Sequence, residues 1–376
     1  MAKAILALED GVFFEGTSFG ASGEAYGEAV FNTSLSGYQE ILTDPSYKGQ
    51  VIAMTNPHIG NYGVNRMDAE SKKVWAEGFV VREASSIASN WRSEMTLDEY
   101  LSQQGIVGVQ EIDTRKLVKH LRDTGAKKCV LSSVDLDAKR LVKKAQDSPS
   151  IVGIDLVREV TTSTPYDFNE ELPPAFNWPD RTQCPPRKHF VVCVDGGIKF
   201  NILRKLNQHG FRVQVVPAHT TAEEILALKP KGVFYSNGPG DPEPATYLWQ
   251  ELRSLIGKVP IFGICLGHQM IGLALGGKTF KLKFGHRGGN HPVMDRASQR
   301  VEITSQNHGF CVDDRSLPLD QVECTHINLN DKTLEGLRHK KYPLFSVQYH
   351  PENSPGPHDS DYLFHRFYAM VDHGVW

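Results

Sequence analysis

The sequence predicts an α/β protein in two parts. An open, mostly parallel sheet over 189–376 is preceded by a smaller α+β, strand-rich domain over 1–150. Three observations carry this. From His189 onward, short apolar runs alternate with stretches of helical apolar spacing, the pattern of a parallel sheet covered on both faces. Before residue 150, brief strand-like runs and turn signals dominate. Between the two lies a linker, residues 151–188, whose 158–188 portion carries Pro165, Pro173, Pro174, Pro179, Pro185 and Pro186 with no apolar period. At 376 residues the chain exceeds the usual span of a single core.

In the first part, Ala4–Leu8 and Val12–Phe14 flank Glu9-Asp10-Gly11, a hairpin signal. Ala29–Asn32, Val51–Thr55 and Phe79–Arg82 read as further strands. Thr96–Gln104 and Thr114–Asp123 have helical spacing, the second with Asp113 as its N-cap and Gly125 near its end. The stretch 31–50, dense in Ser, Thr, Gly and Tyr, reads as solvated turns. In the second part, His189–Val194, Arg212–Val216, Gly232–Ser236 and Val259–Ile264 are strands. Ile198–Gln208 is a helix, and Thr220–Glu223 has capping-box spacing before Ile225–Leu228. Active sites in such sheets lie outside the carboxyl ends of the strands.

Three segments fall at such ends. Val259–Gly277 reads as a buried strand turning sharply into a helix, with Cys265 at the tip beside the first N–H groups of the helix. Those groups favour a thiolate; alternatively Cys265 is an inert buried cysteine. A thiol nucleophile needs a base, and the base an orienter. Phe345–Tyr349 is a strand-like run after which His350 emerges, followed by Pro351 and Glu352, which could fix the His350 tautomer. The same pair could be an ordinary surface contact. The loop 236–241, SNGPGD, has two glycines that allow a close backbone approach to a ligand, or it is a rigid turn. The Leu266 N–H is a candidate oxyanion donor. Asn307–Phe310 forms a third polar loop, a pocket wall or a β-turn. His268 and Gln269, one helical turn past Cys265, either face solvent or are buried and bonded, Gln269 to a substrate and His268 to the protein.

Composition excludes other classes. Net charge is −3, with 40% hydrophobic and 23% charged residues, so no nucleic-acid partner is implied. No run of about 18 uninterrupted apolar residues exists, so no membrane helix is expected, and the N-terminus reads as a first strand rather than a signal peptide. The six cysteines form no C-x-x-C pair, which favours a reduced, cytoplasmic setting without disulfides or zinc. His286, His291 and His308 are spread through expected loops with no helical H-x-x-x-H spacing, so no metal is expected.

The motifs SNGPGD, FGICLGHQ and HPE, in this order, resemble the class I (triad-type) glutamine amidotransferases. FNTSLSGYQEILTDPSY, FGHRGGNHPV, QNHGF and HPENSPGPHDS are similar to the small chain of glutamine-hydrolysing carbamoyl-phosphate synthetases, and that resemblance spans essentially the whole chain. It implies Cys265 as nucleophile, His350 as base and Glu352 as its orienter. It implies a site for L-glutamine at Ser46, Gly238, Gly240, Leu266, Gln269, Asn307, Gly309 and Phe310. Ser46 would bring the first domain into the pocket and make that domain a large-chain contact. The implied reaction is hydrolysis of glutamine through a γ-glutamyl thioester. The ammonia passes to a separate large synthetase chain that makes carbamoyl phosphate for pyrimidine and arginine biosynthesis. The assembly would be a heterodimer or a higher-order set of heterodimers. ATP and Mg are expected on the large chain and no cofactor on this one, which has no Walker-type loop. The alternatives are another class I amidotransferase subunit, or a non-catalytic activating subunit. Two positions depart from the common pattern: the first Gly of DGGIKFN, at a turn, and Asn353, where Ala is common.

Overall fold

The computed structural model describes residues 2–172 and 186–374. Pro173, Pro174, Pro179 and Pro185 of the expected linker, and Cys184, lie outside the described residues. Two compact units are present. One comprises the residues up to Ile154 together with Lys283–Gly288; the other comprises Asp155–Leu282 and the residues from Gly289 onward.

The first unit is built on nine strands: β1 (Lys3–Leu8), β2 (Phe13–Gly20), β3 (Glu24–Asn32), β4 (Gln50–Met54), β5 (His58–Ile59), β6 (Gly78–Val80), β7 (Glu83–Ala84), β8 (Val107–Gln110) and β9 (Lys127–Ser132). Seven of them close a barrel in the order β1-β2-β8-β6-β4-β3-β9, and β5 pairs with β7 apart from it. The expected hairpin is β1 with β2, antiparallel, Leu6 opposite Phe14. β1 is apolar on both faces because both are covered. Ala4, Leu6 and Leu8 enter the barrel core, while Ile5 and Ala7 pack against Leu141 and Ala145 of the helix Ala138–Asp147. Leu97–Gln104 is capped by Thr96, which forms a reciprocal capping box with Glu99. Thr114–Thr124 is capped by Asp113.

The stretch 31–50 is not a set of solvated turns. It forms the helix Tyr38–Thr43 and the single 3₁₀ turn Pro45–Tyr47. Tyr38, Ile41, Leu42 and Tyr47 join an apolar cluster with Ile52, Met54 and Phe79. Buried polar groups here bond within the unit: the Tyr38 hydroxyl donates to the Gly63 carbonyl (2.6 Å) and Asn32 Nδ2 to the Tyr47 hydroxyl (2.8 Å).

The remaining strands are β10 (Tyr166–Phe168), β11 (His189–Asp195), β12 (Phe211–Pro217), β13 (Gly232–Tyr235), β14 (Ile261–Ile264), β15 (Lys278–Asp295), β16 (Val301–Asp313), β17 (Val322–Asn328), β18 (Leu334–His339) and β19 (Leu344–Val347), all of the second unit except Lys283–Gly288 of β15. They form one sheet in the order β10-β12-β11-β13-β14-β19-β18-β17-β15-β16. The centre, β12-β11-β13-β14-β19, is parallel. β10 on one side, and β18 and β17 on the other, run antiparallel to their neighbours. One face packs on the helices Thr246–Leu255 and Leu266–Ala274, the other on Phe200–Gln208 and Tyr362–His373.

Sequence spacing and structure differ at three further places. Within the expected linker, Val157–Val160 is helical and β10 extends the sheet, with Phe168 buried in the core. Three paired residues between prolines are too few to show a period. Asn307–Phe310 and His308 lie within β16, and His286 and His291 within β15, not in loops. Long strands rich in Gly, Asn and His hide because sheet pairing uses backbone groups rather than side-chain hydrophobicity. The capping box of the helix Ala222–Ala227 is Thr221 with Glu224, one residue later than the spacing indicates. Among the described residues no helix is long and apolar enough to cross a membrane.

Candidate active site

Cys265 ends β14 and caps the helix Leu266–Ala274, with φ 54° and ψ −102°, a costly conformation for a residue with a Cβ. The surroundings hold it there. The Cys265 N–H donates to the Val347 carbonyl (2.9 Å), Gly267 N–H to the Ser236 carbonyl (2.9 Å) and Gln269 N–H to the Cys265 carbonyl (3.1 Å). Glycines let these segments approach. A Cβ on Gly267 would run into the Tyr235 carbonyl, and one on Gly238 into the Gly196 carbonyl and the Leu266 side chain. The thiol donates to the Asn307 carbonyl at 3.6 Å and is 1% exposed. Leu266 stands at the first helical position, whose N–H has no acceptor within the helix. Gly240, the other glycine of the 236–241 loop, takes φ 78° beside Leu156.

His350 follows β19, its N–H bound to the Ser305 carbonyl (2.9 Å). Its Nδ1 meets Glu352 Oε1 at 2.7 Å, so the carboxylate fixes Nδ1 as the protonated nitrogen. Nε2 has no hydrogen bond of regular geometry, leaving it as the nitrogen able to exchange a proton. Burial pulls the imidazole pKa down, but the Glu352 charge and coupling to Cys265 outweigh it and raise His350 to about 10. For Glu352, burial works upward, yet the Lys199 charge and then His350 bring it down to about 2. The surface-pair reading of His350 and Glu352 is therefore excluded: both are buried.

Lys199 is the residue that the spacing did not reveal. It precedes the helix Phe200–Gln208, is buried, and donates from Nζ to Glu352 Oε1 (2.7 Å) and to the Ser354 carbonyl (2.5 Å). The DGGIKFN segment thus contacts Glu352 directly and is more than a turn. Its position just past the carboxyl end of β11 was the available signal. Asp195 Oδ1 accepts from the Gly197 and Ile198 N–H groups (2.9 and 2.8 Å), which shapes the turn that delivers Lys199.

The solvent-facing alternative for His268 and Gln269 also falls. His268 is fully buried with Nδ1 2.9 Å from Ser346 Oγ, and burial, with His326 adding, lowers its pKa to about 3. Gln269 Nε2 donates to the Phe310 carbonyl (2.8 Å) and to Gln348 Oε1 (3.2 Å). The same Phe310 carbonyl lies 2.8 Å from His308 Nδ1, and His308 Nε2 lies 3.0 Å from Gln306 Oε1. Gln306 Nε2 donates to Glu335 Oε2 (3.0 Å), and Asn328 Nδ2 to Glu335 Oε1 (2.8 Å). Gly309 follows His308 in β16.

The second unit thus brings together Cys265, Leu266 and Gln269 on one helix with Asn307 against the thiol, and His350 with Glu352. Gly238 packs on Leu266. Ser46 belongs to the other unit, buried on the turn Pro45–Tyr47 with its N–H on Asp44 Oδ1 (2.9 Å).

Comparison with known proteins gives two family matches. Residues 6–131 match the carbamoyl-phosphate synthase small chain, CPSase domain, and residues 192–370 match glutamine amidotransferase class-I. Among curated relatives, the carbamoyl phosphate synthase small chain of Syntrophotalea carbinolica is 58% identical over 373 residues, covering 98% of each chain. That of Aquifex aeolicus is 55% identical, with 98% of each chain covered. That of Akkermansia muciniphila is 54% identical, with 98% of this chain and 97% of its own covered. With both domains matched and full-length relatives above half identity, the chain belongs to the carbamoyl-phosphate synthase small-chain family and carries a class I glutamine amidotransferase domain.

Proposed function

We propose that this chain hydrolyses L-glutamine at Cys265 and supplies the ammonia to a large synthetase chain that forms carbamoyl phosphate. The observation that carries this reading is the buried strand-to-helix turn presenting Cys265, together with the His350–Glu352–Lys199 line. Cys265 Sγ attacks the side-chain carbonyl carbon of glutamine while its proton resides on His350 Nε2. The Leu266 N–H stabilises the oxyanion. His350 returns the proton to the amide nitrogen, the C–N bond breaks, and ammonia leaves a γ-glutamyl thioester. Water then adds to the thioester, giving a proton to His350, and glutamate departs as the thiol is restored.

Glutamine binding is assigned to Ser46, Gly238, Gly240, Leu266, Gln269, Asn307, Gly309 and Phe310. The matched small-chain domain supports a partner large chain. ATP chemistry is assigned to that partner, and the pair to the cytoplasmic synthesis of pyrimidines and arginine. The test is Cys265→Ser in the two-chain complex. Glutamine-dependent carbamoyl phosphate formation disappears and the ammonia-dependent reaction persists; continued use of glutamine removes the nucleophile assignment.

A further inference from the structure

The polar contacts around Phe310 close into a ring. From the Phe310 carbonyl one arm runs through Gln269 Nε2 to Gln348 Oε1, and the Gln348 N–H donates to the Glu335 carbonyl (2.9 Å). The other arm runs from the same carbonyl through His308 Nδ1 and Nε2 to Gln306 Oε1, and from Gln306 Nε2 to Glu335 Oε2. All six residues are buried, Glu335 and Gln348 at 0% exposure. Every link must match a donor with an acceptor, since a mismatch inside the protein costs the full desolvation of the group.

A carboxylate only accepts, so Glu335 obliges Gln306 to face it with its amino group. Gln306 then offers its oxygen to His308, which must donate from Nε2. The Phe310 carbonyl also only accepts, so Nδ1 donates too, which is the doubly protonated imidazole. We propose that Glu335 is a positioning residue for the glutamine pocket. It sets the donor order along Gln306 and His308 and so holds β16 at Asn307–Phe310 in the shape that receives the substrate. Glu335 sits on β18, outside the motifs SNGPGD, FGICLGHQ, QNHGF and HPE. This role rests on the assignment of glutamine to Asn307, Gly309 and Phe310.

An amide at 335 keeps its oxygen on Asn328 Nδ2, because the Asn330 N–H holds Asn328 Oδ1, and so turns its amino group to Gln306, which reverses the donor order. In the full-length chain, Glu335→Gln raises KM for glutamine roughly tenfold or more, the loss expected for one charge-assisted hydrogen bond, while kcat stays within about twofold. The exchange Gln306→Glu with Glu335→Gln puts the carboxylate against His308 and restores the order, returning KM close to the parent value. An unchanged KM in folded Glu335→Gln overturns the proposal. So does an exchange variant that folds but keeps the raised KM, because a role in packing alone does not depend on donor order. If Glu335→Gln fails to fold, the exchange variant decides alone by the same KM criterion. Glutamine hydrolysis by the parent chain, and binding of glutamine to Cys265→Ser, test the underlying assignment separately. Absence of both discards that assignment, whereas their presence with an unaffected KM discards only the role of Glu335.

Discussion

The two sides of the candidate site are held by different physics. The Cys265 turn is held by shape: Gly267 and Gly238 let Tyr235, Gly196 and Leu266 press against it, and three backbone hydrogen bonds lock the strained residue. The His350 side is held by charge, with Lys199, Glu352 and the imidazole buried in one line. The difference teaches that a reactive group can be fixed by excluding alternatives, while a base must be fixed by groups that also set its protonation. The first side should respond to added volume and ignore pH; the second should do the reverse.

The largest expected effect breaks the first side. Gly267→Val puts a branched side chain where the Tyr235 carbonyl sits, and glutamine hydrolysis falls roughly a hundredfold or more in steady-state assays, with an unchanged pH profile for what remains. Retained activity would show that the turn tolerates volume. Next, Lys199→Met removes one of the two cations on buried Glu352 and leaves only His350 beside it. Unfolding by denaturant should report a loss of about 3–5 kcal/mol, as for other buried pairs broken on one side; a loss near zero would mean the ion pair is dispensable.

A smaller effect sharpens the second side. Because Glu352 holds His350 up at about 10, Glu352→Gln moves the alkaline limb of glutamine hydrolysis to lower pH by about one unit or more. The sign for stability follows. The raised His350 contributes fully below the ordinary histidine range and loses that contribution as pH rises through about 10. The lowered Glu352 contributes above the ordinary carboxylate range and loses it as pH falls towards about 2. An alkaline limb that does not move would uncouple the two residues. The smallest effect belongs to Ser46→Ala, a few-fold rise in KM with little change in kcat; an unchanged KM would remove Ser46 from the proposed glutamine-binding residues.

The same contrast explains what the sequence made legible. Short apolar runs ending in Cys265 and His350 announce themselves, because a parallel strand buried on both faces must be apolar. The barrel strands β8 and β9 and the closure of the barrel passed unseen: VGVQ and KKCVLS are too brief to show a period. Lys199 hid because a lysine after a turn reads as solvated, and only the arrival of Glu352 from 153 positions away makes it a buried ion pair. Glu335 and Gln306 hid for the same reason, since their meaning lies in a ring assembled from β16, β18, the helix Leu266–Ala274 and Gln348 just past β19. Asn307–Phe310 reads as a polar loop, yet it lies in β16, because hydrogen bonds rather than hydrophobicity put it in a strand.

The central claim is that Cys265 carries a covalent γ-glutamyl intermediate. The full-length chain, mixed with glutamine and quenched in acid during turnover, is measured by intact mass and by peptide mapping. The account predicts a γ-glutamyl adduct on the peptide containing Cys265, absent from Cys265→Ser. Turnover of glutamine with no adduct, or with an adduct on another residue, would contradict it.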